Sequence, residues 1–280
     1  MFEDIFEKLH KDGFVVIENF IGIEEVEELK REINNIIDKA PEKEKNVFQA
    51  ENNEIFNQQF LDSADKIDFF YENCAIGSNG ELLVEPRLAL NKIAHALHRD
   101  NAVFRKISFD ERVKEVCFQL KMEEPVIVQS MLICKNPKIG GEVTPHQDAS
   151  YLYSDPINLL GFWIALDDAT LENGCLWFAR GSHKSGVHTR LIRNPDEGSG
   201  PNFIYDRPIP HYQKSSFSAV PVKKGSCILI HGLVVHRSEI NKSPNPRNVY
   251  TFHVMEQKNT KYSSKNWLQV KNGFMNVYKN

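Results

Sequence analysis

Apolar residues recur three and four apart at the start of the chain, first Phe2, Ile5, Phe6 and Leu9, then Ile23, Val26, Leu29, Ile33 and Ile37. That spacing lines one face of a helix and predicts two amphipathic helices. Between them Gly13-Phe14-Val15-Val16-Ile17, a β-branched run after a turn glycine, predicts a short strand. Helical spacing returns over about Arg87 to Arg99 and Glu111 to Leu120, while the polar stretch from Pro41 to Asn53 reads as a loop. From about Pro125 the texture changes. Short apolar runs alternate with Gly, Pro, Asn and Asp clusters: Val126 to Met131, Leu160 to Leu166, Cys175 to Phe178, Cys227 to Ile230 and Val249 to Val254. Many short strands with no helices between them imply antiparallel sheets, hence a sandwich or jelly roll packed against N-terminal helices. The expectation is a mainly β fold with α additions, one domain over residues 1–280. Its helical layer covers about 1–122 and its core about 125–258.

Composition narrows the classes. Hydrophobic residues at 41% and charged residues at 26% can build an ordinary globular core. A formal net charge of −4 without a long Lys/Arg block argues against a grip on nucleic acid, which needs clustered cations. The five cysteines are scattered with no Cys-x-x-Cys pair, so neither a disulfide framework nor a zinc ribbon is expected. An acidic opening, Met1-Phe2-Glu3-Asp4, does not suit a secretory signal, and no apolar run approaches the roughly 18 residues of a membrane span. A cytoplasmic protein acting on a small molecule is the expectation; oligomeric state leaves no mark on the sequence.

Candidate chemistry starts at Gly140-Gly141-Glu142-Val143-Thr144-Pro145-His146-Gln147-Asp148, which contains His-x-Asp. In a chain with ten histidines one such triplet is ordinary, and a second stands at His98-Arg99-Asp100. Local geometry separates them. Residues i and i+2 share a face on a strand but lie about 200° apart on a helix. His98 sits in a helical pattern and reads as surface structure. His146 follows a turn and enters the extended-looking Ala149 to Tyr153, so its pair can meet one ion. A third ligand is sought downstream, because two imidazoles and a carboxylate leave three positions open on iron. In Ile230-His231-Gly232-Leu233-Val234-Val235-His236-Arg237-Ser238, His236 opens a new segment while His231 abuts a turn glycine. His236 is preferred and His253 is the reserve. Arg247, eleven positions after His236, opens another strand and suits bidentate capture of a carboxylate from a neighbouring antiparallel strand.

Together these stretches resemble the phytanoyl-CoA dioxygenase family. The resemblance rests on His146-Gln147-Asp148-Ala149-Ser150, Asp168 to Phe178, Gly181-Ser182-His183 and His231 to Ser238. It extends to Asn91-Lys92-Ile93, Gln129-Ser130-Met131 and Asn266-Trp267-Leu268. It implies a double-stranded β-helix, or jelly roll, with Fe(II) on His146, Asp148 and His236. It also implies 2-oxoglutarate as co-substrate on Lys92, Met131, Trp163, Ser238 and Arg247, with Arg247 on the distal carboxylate. The implied reaction uses dioxygen to hydroxylate a small organic substrate, an acyl or other carboxylate compound in the first instance, releasing succinate and CO2. Asp148 is the residue that halogenating members lack, which favours hydroxylation. Arg180 departs from the Pro that relatives often place before Gly-Ser-His. Two rivals stand beside this reading: a catalytically silent 2-oxoglutarate and metal sensor or scaffold, and a cupin-like metalloenzyme. Pro41 to Asn53 and Asn194 to Gln213 are the segments expected to act as lids.

Overall fold

A computed structural model of the chain describes residues 2, 4–39, 47–48, 58–196 and 201–280. Two sheets face each other. The larger has nine strands, in the order Phe14–Ile17, Cys227–His231, Leu159–Ala165, Arg247–Glu256, Pro125–Lys135, Leu90–His95, Ile67–Glu72 and Val47–Phe48, with Met275–Asn276 also pairing Pro125–Lys135. The smaller runs Ser218–Val220, Leu176–Phe178, His236–Ser238, Val143–His146. All these pairings are antiparallel except that of Val47–Phe48 with Ile67–Glu72. Consecutive strands that alternate between two facing sheets make the expected jelly roll.

The strand pattern explains which side chains reach the interior between the sheets. Along Leu159–Ala165, Leu160, Phe162 and Ile164 face away from the smaller sheet and join Tyr250, Phe252 and Val254. Against this outer face pack Ile5 and Leu9 of the Ile5–Asp12 helix and Val26, Leu29 and Ile33 of the Ile23–Asp38 helix. The alternate positions Trp163, Ala165 and Val249 point inward and meet Phe14, Leu176 and Phe178 between the sheets. Because both faces of the larger sheet are covered, its strands are apolar nearly throughout, as buried sheets are.

That double burial defeats one sequence expectation. Arg87 to Arg99 is not a helix: a short turn at Pro86–Ala89 leads into the strand Leu90–His95, followed by a turn at Leu97–Asp100. Apolar residues on both faces of a central strand produce runs that helical spacing can also fit. Lys92 therefore rides on a strand of the larger sheet, opposite Ile133. Helix Ala102–Ser108 begins where the Asn101 side chain accepts from the Val103 and Phe104 amides, and Glu111–Gln119 begins where Asp110 accepts from Arg112 N. No helix among the described residues is long and apolar enough to cross a membrane. Of the two expected lids, Pro41 to Asn53 lies outside the described residues apart from Val47 and Phe48. Asn194 to Gln213 includes the Phe203–Tyr205 strand, which pairs Leu191–Arg193.

Phe252, fully buried and stacked on Phe162 at 4.8 Å between ring centroids, belongs to the cluster in which the larger sheet and the helical layer meet. Phe252→Ala is expected to lower the free energy of unfolding by about 3–5 kcal/mol, read from urea denaturation.

Candidate metal centre

The Val143–His146 and His236–Ser238 strands pair with His236 directly opposite His146. Opposed residues of an antiparallel pair project from the same face. The two rings accordingly meet, 4.3 Å between centroids. Gln147 is extended (φ −111°, ψ 135°), which carries Asp148 to the same side as His146. The chain then departs from expectation: Ala149 to Tyr153 is not extended, because Asp148–Ser150 forms a 3-10 turn with Tyr151 N and Leu152 N bonded to Asp148 O. The turn still leaves the carboxylate inside. Asp148 Oδ1 stands 3.6 Å from Nε2 of both His146 and His236. At that distance the contacts are too long for good hydrogen bonds, and a shared ion would seat between the donors. The three ligand atoms lie within 4.8 Å of one another, and no other His, Cys, Asp or Glu trio among the described residues converges in this way.

Hydrogen bonds prepare both rings. His146 Nδ1 lies 2.9 Å from Thr144 O and His236 Nδ1 lies 3.1 Å from Val234 O. A carbonyl can only accept, so each Nδ1 carries the proton and each Nε2 offers a lone pair toward Asp148. Burial and the neighbouring His146 push His236 down to about 4, so it is neutral near pH 7. Burial would also lower His146, but contact with the Asp148 carboxylate outweighs it and holds that ring above its ordinary value. Burial alone would raise Asp148; the facing His236 and His253 and contact with His146 keep it well below the usual carboxylate range. The set is one anion and two imidazoles, a donor mix that suits a divalent first-row metal.

The remaining sequence candidates fall on the same inner lane. Met131, Thr251 and Trp163 stand abreast on three adjacent strands. One row further along are Lys92, Ile133, Val249 and Ala165. Beyond them Arg247 opens its strand opposite Lys135. Arg247 belongs to the larger sheet, not to a neighbour of the His236 strand as expected, and reaches the interior from across the sandwich. Its guanidinium lies 5.5 Å from the Trp163 ring centre, is 1% exposed, and has no hydrogen-bond partner on Nε or Nη1. Ser238, two residues past His236 and so on the same face, likewise has a buried Oγ without a partner. Lys92 Nζ lies 5.1 Å from the ring centres of Phe60 and Phe70, and burial lowers its pKa to about 7.

Other sequence candidates lie elsewhere. His98 is not on the surface: it is 6% exposed, its Nδ1 is 2.8 Å from Ser130 Oγ, and its neighbours Arg99 and Asp100 pair with each other. His231 serves the turn, its Nδ1 accepting from Leu233 N at 3.1 Å. His253 contacts the centre without belonging to the trio, with Nε2 3.2 Å from Asp148 Oδ2. Tyr151, its ring 5.9 Å from that of His146, was not singled out by any sequence signal; only the turn after Asp148 brings it there. Arg180 pairs with Asp12 and covers the Phe14 ring at 5.0 Å.

The chain is similar to known proteins along nearly its whole length. The chain is 46% identical over 273 residues to a phytanoyl-CoA dioxygenase domain-containing protein 1 homolog of Caenorhabditis elegans, covering 95% of each. It is 44% identical over 271 residues to phytanoyl-CoA dioxygenase domain-containing protein 1 of Bos taurus, covering 94% of this chain and 93% of that one. Among solved structures it resembles the epimerase SnoN in complex with Fe3+, alpha ketoglutarate and nogalamycin RO, with TM-score 0.63, 18% identity and coverage of 97% and 90% of the two chains. EctD from S. alaskensis with 2-oxoglutarate and 5-hydroxyectoine matches at TM-score 0.61 and 19% identity, covering 92% of this chain and 77% of that one. At such identity these structures speak for the fold. With the phytanoyl-CoA dioxygenase family model matching residues 9–249, the chain belongs to the phytanoyl-CoA dioxygenase family.

Proposed function

We propose that the protein is an Fe(II)- and 2-oxoglutarate-dependent dioxygenase that hydroxylates a small organic substrate. His146, Asp148 and His236 would hold the metal; Arg247, Ser238, Lys92, Trp163 and Met131 would hold the co-substrate. The observation that carries the reading is the buried Arg247 guanidinium with two partnerless N–H donors, on the same interior lane as a His/Asp/His trio. A desolvated, unpaired cation is costly, and a carboxylate arriving in its plane would remove that cost by bidentate hydrogen bonding. Ser238 Oγ, buried and without a hydrogen-bond partner, supports the same reading. Iron with 2-oxoglutarate and dioxygen supplies the oxidation, in which 2-oxoglutarate yields succinate and CO2 and one oxygen atom goes to the substrate carbon.

The chain's own residues bind, orient and exclude water. The Nδ1 bonds to Thr144 O and Val234 O fix both imidazoles, so neither ring reorients when a metal arrives. Trp163 and Met131, on the strands either side of Thr251, wall the lane between the metal end and Arg247 and keep the anchor of low polarity, where a charge-assisted bond is strongest. Arg247 is pushed down by burial, but only to about 10, so it is charged at neutral pH. The identity of the oxidised substrate rests on loops around this lane; the family shares a metal centre and not a single substrate, in keeping with function grafted onto a fold.

Three outcomes are expected. Anaerobically purified protein given Fe(II), 2-oxoglutarate and air should release succinate, and His236→Ala should reduce this to background; binding of both ligands without any succinate would instead mark a sensor. Arg247→Leu should raise the 2-oxoglutarate Kd, measured without oxygen, by roughly 30-fold or more, since losing one partner of a buried charged pair costs about 2–5 kcal/mol. Lys92 supplies a pH test. Its amine, near 7 in the folded chain, is half charged at neutrality, and a bound carboxylate favours the charged form. Binding then takes up a proton, so affinity should fall as pH rises above 7, and Lys92→Met should flatten that slope in calorimetric titrations at pH 6.5 and 8.5.

A further inference from the structure

The two oxygens of Asp148 have different surroundings. Oδ1 faces both imidazole Nε2 atoms at 3.6 Å, while Oδ2 turns to the larger sheet and stands 3.2 Å from His253 Nε2. The N–H does not point squarely at Oδ2, which has no well-formed hydrogen bond; the two atoms nonetheless stand in contact at 3.2 Å. On the far side of the ring, His253 Nδ1 lies 3.3 Å from Gln129 Nε2. The proton position follows from chemistry. A carboxylate only accepts, so a lone pair on Nε2 would repel Oδ2; Nε2 therefore carries the hydrogen and Nδ1 accepts from the Gln129 amide. All three groups are buried, with Gln129 6%, His253 5% and Asp148 8% exposed.

Strand register assembles the arrangement. His253 stands opposite Gln129 on one side and Gly161 on the other. The register between the Arg247–Glu256 and Pro125–Lys135 strands slips immediately after this row, as Val254 pairs with Ile127 and leaves Val128 extra. Such a bulge re-aims nearby side chains. Gly161 supplies the space: a Cβ there would sit 3.3 Å from Asp148 Oδ2 and 3.6 Å from His253 Cδ2.

We propose that His253, held by Gln129 and given room by Gly161, is a positioning residue that keeps Asp148 a one-oxygen ligand. It engages Oδ2 and leaves Oδ1 for the metal. A carboxylate free to rotate could present both oxygens and occupy a coordination position that the co-substrate or dioxygen needs. His253 thus acts through Asp148 and touches neither metal nor substrate. This inference rests on the metal reading given above.

The test measures metal binding without turnover. Co(II), a spectroscopic stand-in for Fe(II), is titrated anaerobically into wild type, His253→Gln, His253→Leu and Gly161→Ala, and its visible spectrum is recorded before and after 2-oxoglutarate. His253→Leu should weaken Co(II) binding by roughly 10–100-fold, as loss of groups behind metal ligands typically does, and should change the band shape. His253→Gln, whose amide can replace the Nε2 donor, should recover most of both. Gly161→Ala should weaken binding by crowding Oδ2 even if the leucine variant fails to fold, which circular dichroism of the metal-free proteins reports. Wild-type affinity and spectrum in the leucine or alanine variant overturns the proposal, as does a glutamine variant as impaired as a folded leucine one. Failure of wild type to bind Co(II) or Fe(II) sinks the metal reading instead.

Discussion

Everything at the centre depends on one backbone registration, the pairing of His236 with His146 in the smaller sheet. It sets two rings from distant parts of the sequence 4.3 Å apart, and the extended Gln147 adds the carboxylate two residues on. No long-range side-chain contact has to be found for this to happen. Backbone hydrogen bonds choose the neighbours, and each histidine then draws its orientation from a carbonyl two residues earlier in the chain. The metal end is built by local geometry on a non-local pairing, which is how a sheet can hold a site rigidly.

The larger sheet contributes a different quality, charge in a dry place. Arg247 and Lys135 are directly opposed on adjacent strands and nearly fully buried. Lys135 resolves its own situation by donating to the carbonyls of Gly141 and Glu239, and burial followed by the Arg247 charge lowers it to about 7. Arg247 cannot discharge in this way, since its pKa stays near 10. One of the two neighbouring cations can shed its proton and the other cannot, so the electrostatic demand concentrates on a single guanidinium at the end of the lane.

Much of this was legible in the residues, and the parts that were not share a cause. The runs Leu160 to Leu166, Cys227 to Ile230 and Val249 to Val254 became strands within a residue or two of where their apolar content places them. His146, Asp148 and His236 could be named because the i, i+2 rule and the turn signals around Gly232 operate over short distances. Lys92 was placed on a helix because a strand covered on both faces loses the alternation that betrays strands. The burial of His98 was invisible because Ser130, its partner, lies 32 positions away. His253 could be noticed as a histidine on a strand, but whether it binds the ion or stands behind a ligand depends on its register with Gln129 and Gly161, a property of three strands together.

The alternation along His236–Ser238 has a consequence for how the chain finds this arrangement. Between the two inward residues lies Arg237, directed to the opposite side, where it meets Trp177 and Phe217. A slip of one position would exchange the faces, turning His236 and Ser238 away from the interior and putting the Arg237 guanidinium in their place. Alignment of this strand thus decides which kind of basic side chain faces Asp148, an imidazole whose Nε2 can offer a lone pair or a guanidinium that can only donate.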